Sequence, residues 1–80
     1  MRIPLDVKKE IKTMCDNFRK LRLRKGCPLA EVSRDTGIRE GLLKALENGI
    51  SPAGFYAEEL VTLCQYYGLE HIDDIFYPME

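Results

Sequence analysis

Lysine and arginine stop at Lys44. The 80 residues hold 12 of them against 13 acids, a formal net charge of −1, yet residues 45–80 contain seven acids and no Lys or Arg. Residues 1–44 carry all 12 basic residues against six acids, so the first stretch is +6 and the second −7. Such a split can orient a protein on a polyanion, basic side down. The plainer account is an uneven surface on a small domain.

Other things are scarce as well. No apolar run approaches the ~20 residues of a membrane helix, and the start, MRIPLDVKKEIK, lacks the apolar stretch of a signal peptide. Cysteine occurs three times, at 15, 27 and 64, with no CxxC pair. An odd count without framework spacing points to reduced thiols in a cytoplasm. With His71 as the sole histidine a zinc site is not expected, and the three thiols read as small core or capping residues. His71 has no nucleophile or carboxylate at a motif spacing, and there is no glycine-rich phosphate loop. We therefore expect no enzyme, no metal and no cofactor, and read His71 as a cap of the last helix.

What is present suits one domain over residues 1–80, with 45% hydrophobic and 31% charged residues. Asp6 can cap a first helix that runs to about Lys25 and stops at Gly26. Val7, Ile11, Met14, Cys15, Phe18 and Leu21 form its inner stripe, while Leu23 lies off it. Its last turns, FRKLRLRK, are basic, which also suits a helix C-terminus.

The stretch from Cys27 to Gly49, CPLAEVSRDTGIREGLLKALENG, organises the rest. Leu29, Val32, Ser33 and Thr36 recur at i, i+3, i+4, i+7, one inward face of a short helix with Pro28 at its first position. Gly37 supplies a bend, Ile38 plugs the corner, and Leu43 and Leu46 give the next helix a buried side that ends at Gly49. Small Ser33 lets the two helices cross closely. Residues 28–48 thus read as a helix-turn-helix, whose second helix can enter a DNA major groove. A fourth helix follows, capped by Ser51 or beginning only at Phe55, with Phe55, Leu60, Leu63, Cys64 and Tyr67 inward. A last short helix spans about Ile72 to Tyr77 before Pro78.

From Phe18 to Phe76 the chain resembles the phage repressor and Cro-type (Xre-like) helix-turn-helix family. The residues that carry the likeness are Phe18-x-x-Leu21-Arg22 with Lys25-Gly26, Thr36-Gly37-Ile38, Leu43, Leu46 with Glu47-Asn48-Gly49, Tyr67-Gly68-Leu69 and Asp73-Asp74-Ile75-Phe76. The resemblance implies an all-α, compact five-helix lambda-repressor-like DNA-binding domain, here with an extended first helix. It implies a dimeric transcriptional regulator or repressor, and an ion pair between Arg22 and Glu47. It also implies reading of bases from Arg39, Glu40, Gly41, Lys44 and Ala45, with Asn48 and Arg34 on phosphates. Arg39 or Lys44 can donate to guanine and Glu40 can accept from a cytosine amino group.

Some positions depart from the family's pattern. Leu29 replaces a polar residue at the start of the second helix, Arg39 replaces a Ser or Thr cap, and Leu42 a small polar residue. The loop Ile50-Ser51-Pro52-Ala53-Gly54 is uncharged and about two residues longer than usual. A second reading stays open, in which the fold meets a protein through Leu42 and Leu23 with Glu40 at the rim. The acidic residues 58, 59, 70, 73 and 74 are a solvated face or a contact for another protein. Tyr66, Tyr77 and Met79 exceed what one small core needs and are the candidate two-fold interface of a homodimer.

Overall fold

A computed structural model describes residues 7–50 and 54–79, with side chains from residue 9 onward. The expected caps Asp6 and Ser51, and the inward side chain of Val7, lie outside the described residues. The elements are α1 (Val7–Lys25), α2 (Leu29–Thr36), α3 (Glu40–Glu47), α4 (Ala57–Tyr66) and a 3₁₀ turn, η1 (Ile72–Phe76). Among the described residues there is no strand, and no helix is long and apolar enough to cross a membrane.

Among the described residues the α-helices therefore number four, not five. The expected fifth is η1, closed by an i→i+3 bond from the Asp74 N–H to the His71 carbonyl at 3.1 Å. Five residues are too few to offset the cost of nucleating an α-helix. Pro78 blocks extension and holds Tyr77 in an extended conformation, with ψ 140°. His71 occupies the cap position through its backbone, and its side chain makes no cap bond.

Two helix starts also differ from expectation. Pro28 is the N-cap of α2 rather than its first residue, and its carbonyl accepts from the N–H groups of Glu31 and Val32. Helix α4 begins at Ala57, later than either expected start. The Glu59 carboxylate accepts the Tyr56 N–H at 2.8 Å, which sets the first turn. Phe55 stays outside the helix and packs edge-on against Phe18, ring centroids 6.3 Å apart.

The core runs through every element. Met14, Cys15 and Phe18 of α1 meet Val32 of α2, Ile38 of the turn, Leu43 and Leu46 of α3, Leu63 and Cys64 of α4, and Ile75 of η1. Phe18 sits at its centre, flanked by the Tyr67 ring as well as Phe55. All three thiols are free and buried, and burial pushes Cys64 up to about 11. The thiolate is the reactive form, so alkylation of the folded protein at pH 8 should be slow at Cys15 and Cys64. Adding denaturant should expose all three to rapid labelling, read by mass spectrometry; rapid labelling of Cys64 without denaturant would contradict the packing.

Among the described residues one buried side chain is polar. Asn17 is 1% exposed, and its amide holds the end of the chain to α1. Nδ2 donates to the Ile75 carbonyl at 2.8 Å and to that of Tyr77 at 2.7 Å. Oδ1 accepts the Met79 N–H at 3.3 Å. Lys20 adds a bond from Nζ to the Met79 carbonyl at 2.7 Å. No buried side-chain N or O among the described residues lacks a partner.

Candidate nucleic-acid interface

Helices α2 and α3 are joined by Gly37, Ile38 and Arg39. Gly37 has φ 79°, a left-handed conformation that costs other residues about 1 kcal/mol, and its N–H closes α2 on the Ser33 carbonyl at 2.8 Å. The Thr36 hydroxyl donates to the Val32 carbonyl at 2.7 Å and accepts the Ile38 N–H at 3.2 Å. That leaves Ile38 buried between the helices. A Cβ at Gly37 would meet nothing within 4 Å, so Gly37→Ala should cost only the backbone strain. We expect about 1 kcal/mol in a thermal melt, and less for Gly37→Asn, because Asn tolerates this conformation better.

Helix α3 divides cleanly between two environments. Leu43 and Leu46 are buried, whereas Arg39, Glu40, Gly41, Lys44 and Asn48 are exposed and Ala45 is half-buried. The first turn is held by the Arg39 carbonyl, which accepts from the N–H groups of Leu42 and Leu43, both at 3.1 Å. No side chain caps it, so its leading N–H groups are not engaged by a cap. At the other end Ile50 donates to Ala45 and Gly49 to Leu46, both at 3.1 Å, with Gly49 at φ 85°. This paired closure stops the helix at Asn48.

Leu42 is half-buried and packs against the core. Its Cδ1 lies 3.2 Å from where a Gly54 side chain would begin, so Gly54 lies against it. Leu29 is likewise half-buried against the core. Leu23, by contrast, is 54% exposed. Arg34 is exposed on α2 and forms a loose pair with Asp35 at 3.5 Å, a geometry that contributes little at a surface.

The guanidinium of Arg22 ties α1 to the end of α3 and to the segment that leads into α2. Nε donates to Glu47 Oε2 at 2.7 Å and Nη2 to Oε1 at 2.9 Å, a two-bond fork. Nη1 donates to the Cys27 carbonyl at 2.9 Å. Glu47 is the last residue of α3, where a carboxylate opposes the helix dipole, so its charge needs this partner.

The three residues expected at a dimer contact differ in exposure and in partners. Tyr77 is 66% exposed and lines a shallow cleft with Met79, Leu21, Arg24, Leu69 and Asp74. Met79 is half-buried and bonded through its backbone to Asn17 and Lys20. Tyr66 is used within the monomer. Its hydroxyl donates to Asp35 Oδ2 at 2.8 Å, its ring carries Lys25 Nζ at 5.0 Å, and Cys27 Sγ lies 3.9 Å from the hydroxyl. The bond to Asp35, then burial, raises its pKa well above the usual phenol range. Two of these features, the Asn17 hook and the Tyr66–Asp35 bond, went unread in the sequence, where both residues look like ordinary surface or aromatic positions.

Among the described residues, no three His, Cys, Asp or Glu side chains gather as a metal ion would need. A family model described as the Cro/C1-type HTH DNA-binding domain matches residues 17–79. No curated protein and no solved structure matches the chain significantly.

Proposed function

This chain belongs to the Cro/C1-type helix-turn-helix DNA-binding family, and from that premise we propose that it is a sequence-specific regulator of transcription acting on double-stranded DNA in the cytoplasm. The observation that carries the reading is the division of α3. Its apolar side is consumed by the core, while Arg39, Glu40, Gly41 and Lys44 stand exposed on its first turns, where a recognition helix meets base edges. Arg39 and Lys44 donate to guanine O6 and N7, and Glu40 accepts from a cytosine amino group. Gly41 lets the backbone approach the groove, and Ala45 offers a methyl to thymine. Asn48 and Arg34 hold phosphates on either side and set the register.

The protein acts as a homodimer in this reading, because one module of this size spans few base pairs and two recognition helices one DNA turn apart read a palindrome. Tyr77, with Met79 beside it, is the exposed apolar contribution to a two-fold contact. Reuse of α3 for a protein partner is less favoured, since Leu42, its apolar anchor, is half-buried. A protein partner for the acidic residues of the second half remains compatible with DNA binding.

Fluorescence anisotropy on random duplex DNA between low and moderate salt tests the reading. Affinity should fall steeply as salt rises, because phosphate contacts release counterions. Lys44→Ala should weaken binding and lower the slope of log K against log salt by about one if Lys44 sits on a phosphate, or leave the slope and relax one base preference if it reads a base. Glu40→Gln should raise affinity for random duplex, because it removes a charge that repels phosphate. No binding at low salt by a folded protein would refute DNA recognition, and light scattering showing a monomer at high micromolar concentration would remove the dimer.

A further inference from the structure

We propose that copies of this chain associate head to tail, the outer face of α1 in one copy seating Leu23 in the groove beside the helix-turn-helix of the next. Leu23 is 54% exposed and stands among exposed Arg19, Lys20 and Arg24, with Arg19 one turn before it on the same face. Arg19 and Arg24 form no ion pair among the described residues. Asp16 is the acid on this face, and the three basic residues outweigh it.

The groove has the opposite character. It lies between the turn Thr36–Ile38 and the first half of α4, with an open volume of about 540 Å³. Gly37, Ile38 and Val61 give it an apolar floor, and Glu58 and Glu59 form its wall. Glu58 is exposed and unpaired among the described residues, and α4 has no basic residue to offset it. A Cβ at Gly37 would meet nothing within 4 Å, so the floor is open to an incoming side chain. An apolar knob ringed by cations thus meets an apolar floor walled by carboxylates, and both belong to one chain.

The two surfaces differ, so the contact is heterologous and does not close after two copies. It uses neither Arg39 nor Lys44, and Arg24 borders the Tyr77 cleft as well. Neighbouring copies joined this way would bind adjacent DNA sites cooperatively.

Sedimentation velocity without DNA tests this, so its failure leaves the DNA reading untouched. The wild type at high micromolar concentration and low salt should show open-ended association that is lost as salt rises. Leu23→Asp blocks the knob, and Glu58→Lys with Thr62→Arg, both on the lining of the groove, blocks the groove; Glu58→Lys alone, at an exposed position, serves if the double variant melts early. Each blocked variant alone should be monomeric in this contact. Mixed in equal amounts they should associate with each other in one-to-one proportion, because each supplies the surface that the other lacks. The proposal is overturned if a blocked variant associates as the wild type does, as a two-fold contact would require. It is equally overturned if the mixture behaves as its separate components or if the wild type stays monomeric throughout.

Discussion

Asn17→Asp should remove most of the fold's stability at neutral pH. The change is nearly isosteric, yet it turns the amide donor that faces the Ile75 and Tyr77 carbonyls, at 2.8 and 2.7 Å, into a carboxylate oxygen. Two acceptors would then face a buried charge, and among the described residues no ion pair lies at this site. Such a group costs several kcal/mol, of the order of 4 at pH 7, against a total stability of about 5 for a domain of this size. At roughly 4–8 °C per kcal/mol, the melting temperature should fall by about 20 °C.

The pH dependence separates this cause from simple loss of packing. The new carboxyl would have a folded-state pKa above its unfolded value of about 3.9, since burial and the carbonyls both disfavour the charge. Its penalty is therefore small below about pH 4 and grows as pH rises through the raised folded pKa. The gap in melting temperature between variant and wild type should widen from acid to neutral pH. Asn17→Ala, which carries no charge, should lose about 2–3 kcal/mol with no such widening. A variant Asn17→Asp that melts within a few degrees of the wild type at pH 7 would show that the amide does not hold the chain's end.

Arg22→Ala is the second large effect expected, about 3 kcal/mol. The Glu47 carboxylate, 9% exposed, would keep its charge and lose its fork, and the Cys27 carbonyl would lose a donor. Removing one partner of a buried pair costs more than the pair itself contributes. Replacing both, with Arg22→Met and Glu47→Leu, should recover all but about 1 kcal/mol in a denaturant titration. DNA affinity should fall in Arg22→Ala measured where the variant is still folded, because the last turn of α3 and the bend into α2 share that guanidinium. Arg22→Lys should stand between, since one ammonium cannot span the two Glu47 oxygens and the Cys27 carbonyl as a planar fork does. Equal losses in single and double variants would show that the pair contributes only packing.

These two sites were unequally legible. Arg22 and Glu47 were singled out through a family resemblance, and the two groups lie 2.7 Å apart. Asn17 was passed over because polar residues in amphipathic helices are read as solvent-facing by default. It stands beside the Met14 and Phe18 stripe, and its partners lie 58 to 62 residues away. No window along the chain contains both. The start of α4 was misplaced for a related reason. The residues 51–56 offer several local starts, and the choice of Tyr56 goes with the seating of Phe55 against Phe18, a residue of another helix.

Within the site, the bend at Gly37, the burial of Leu43 and Leu46 and the stop after Glu47 could be read directly. Each depends on neighbours within four or five residues, through a left-handed glycine or a helical repeat. What the amino-acid sequence determined by itself was thus the local layer: four helical stretches, their approximate inner faces, the turn between α2 and α3, and the charge split at Lys44. Tertiary structure alone decided that the last element is a 3₁₀ turn hooked onto Asn17, that Leu42 is covered while Leu23 is not, and that Tyr66 is bonded to Asp35. The physical reason is common to all three. Exposure and polar satisfaction belong to pairs of groups, and those pairs form only when segments distant along the chain are brought into contact by the core.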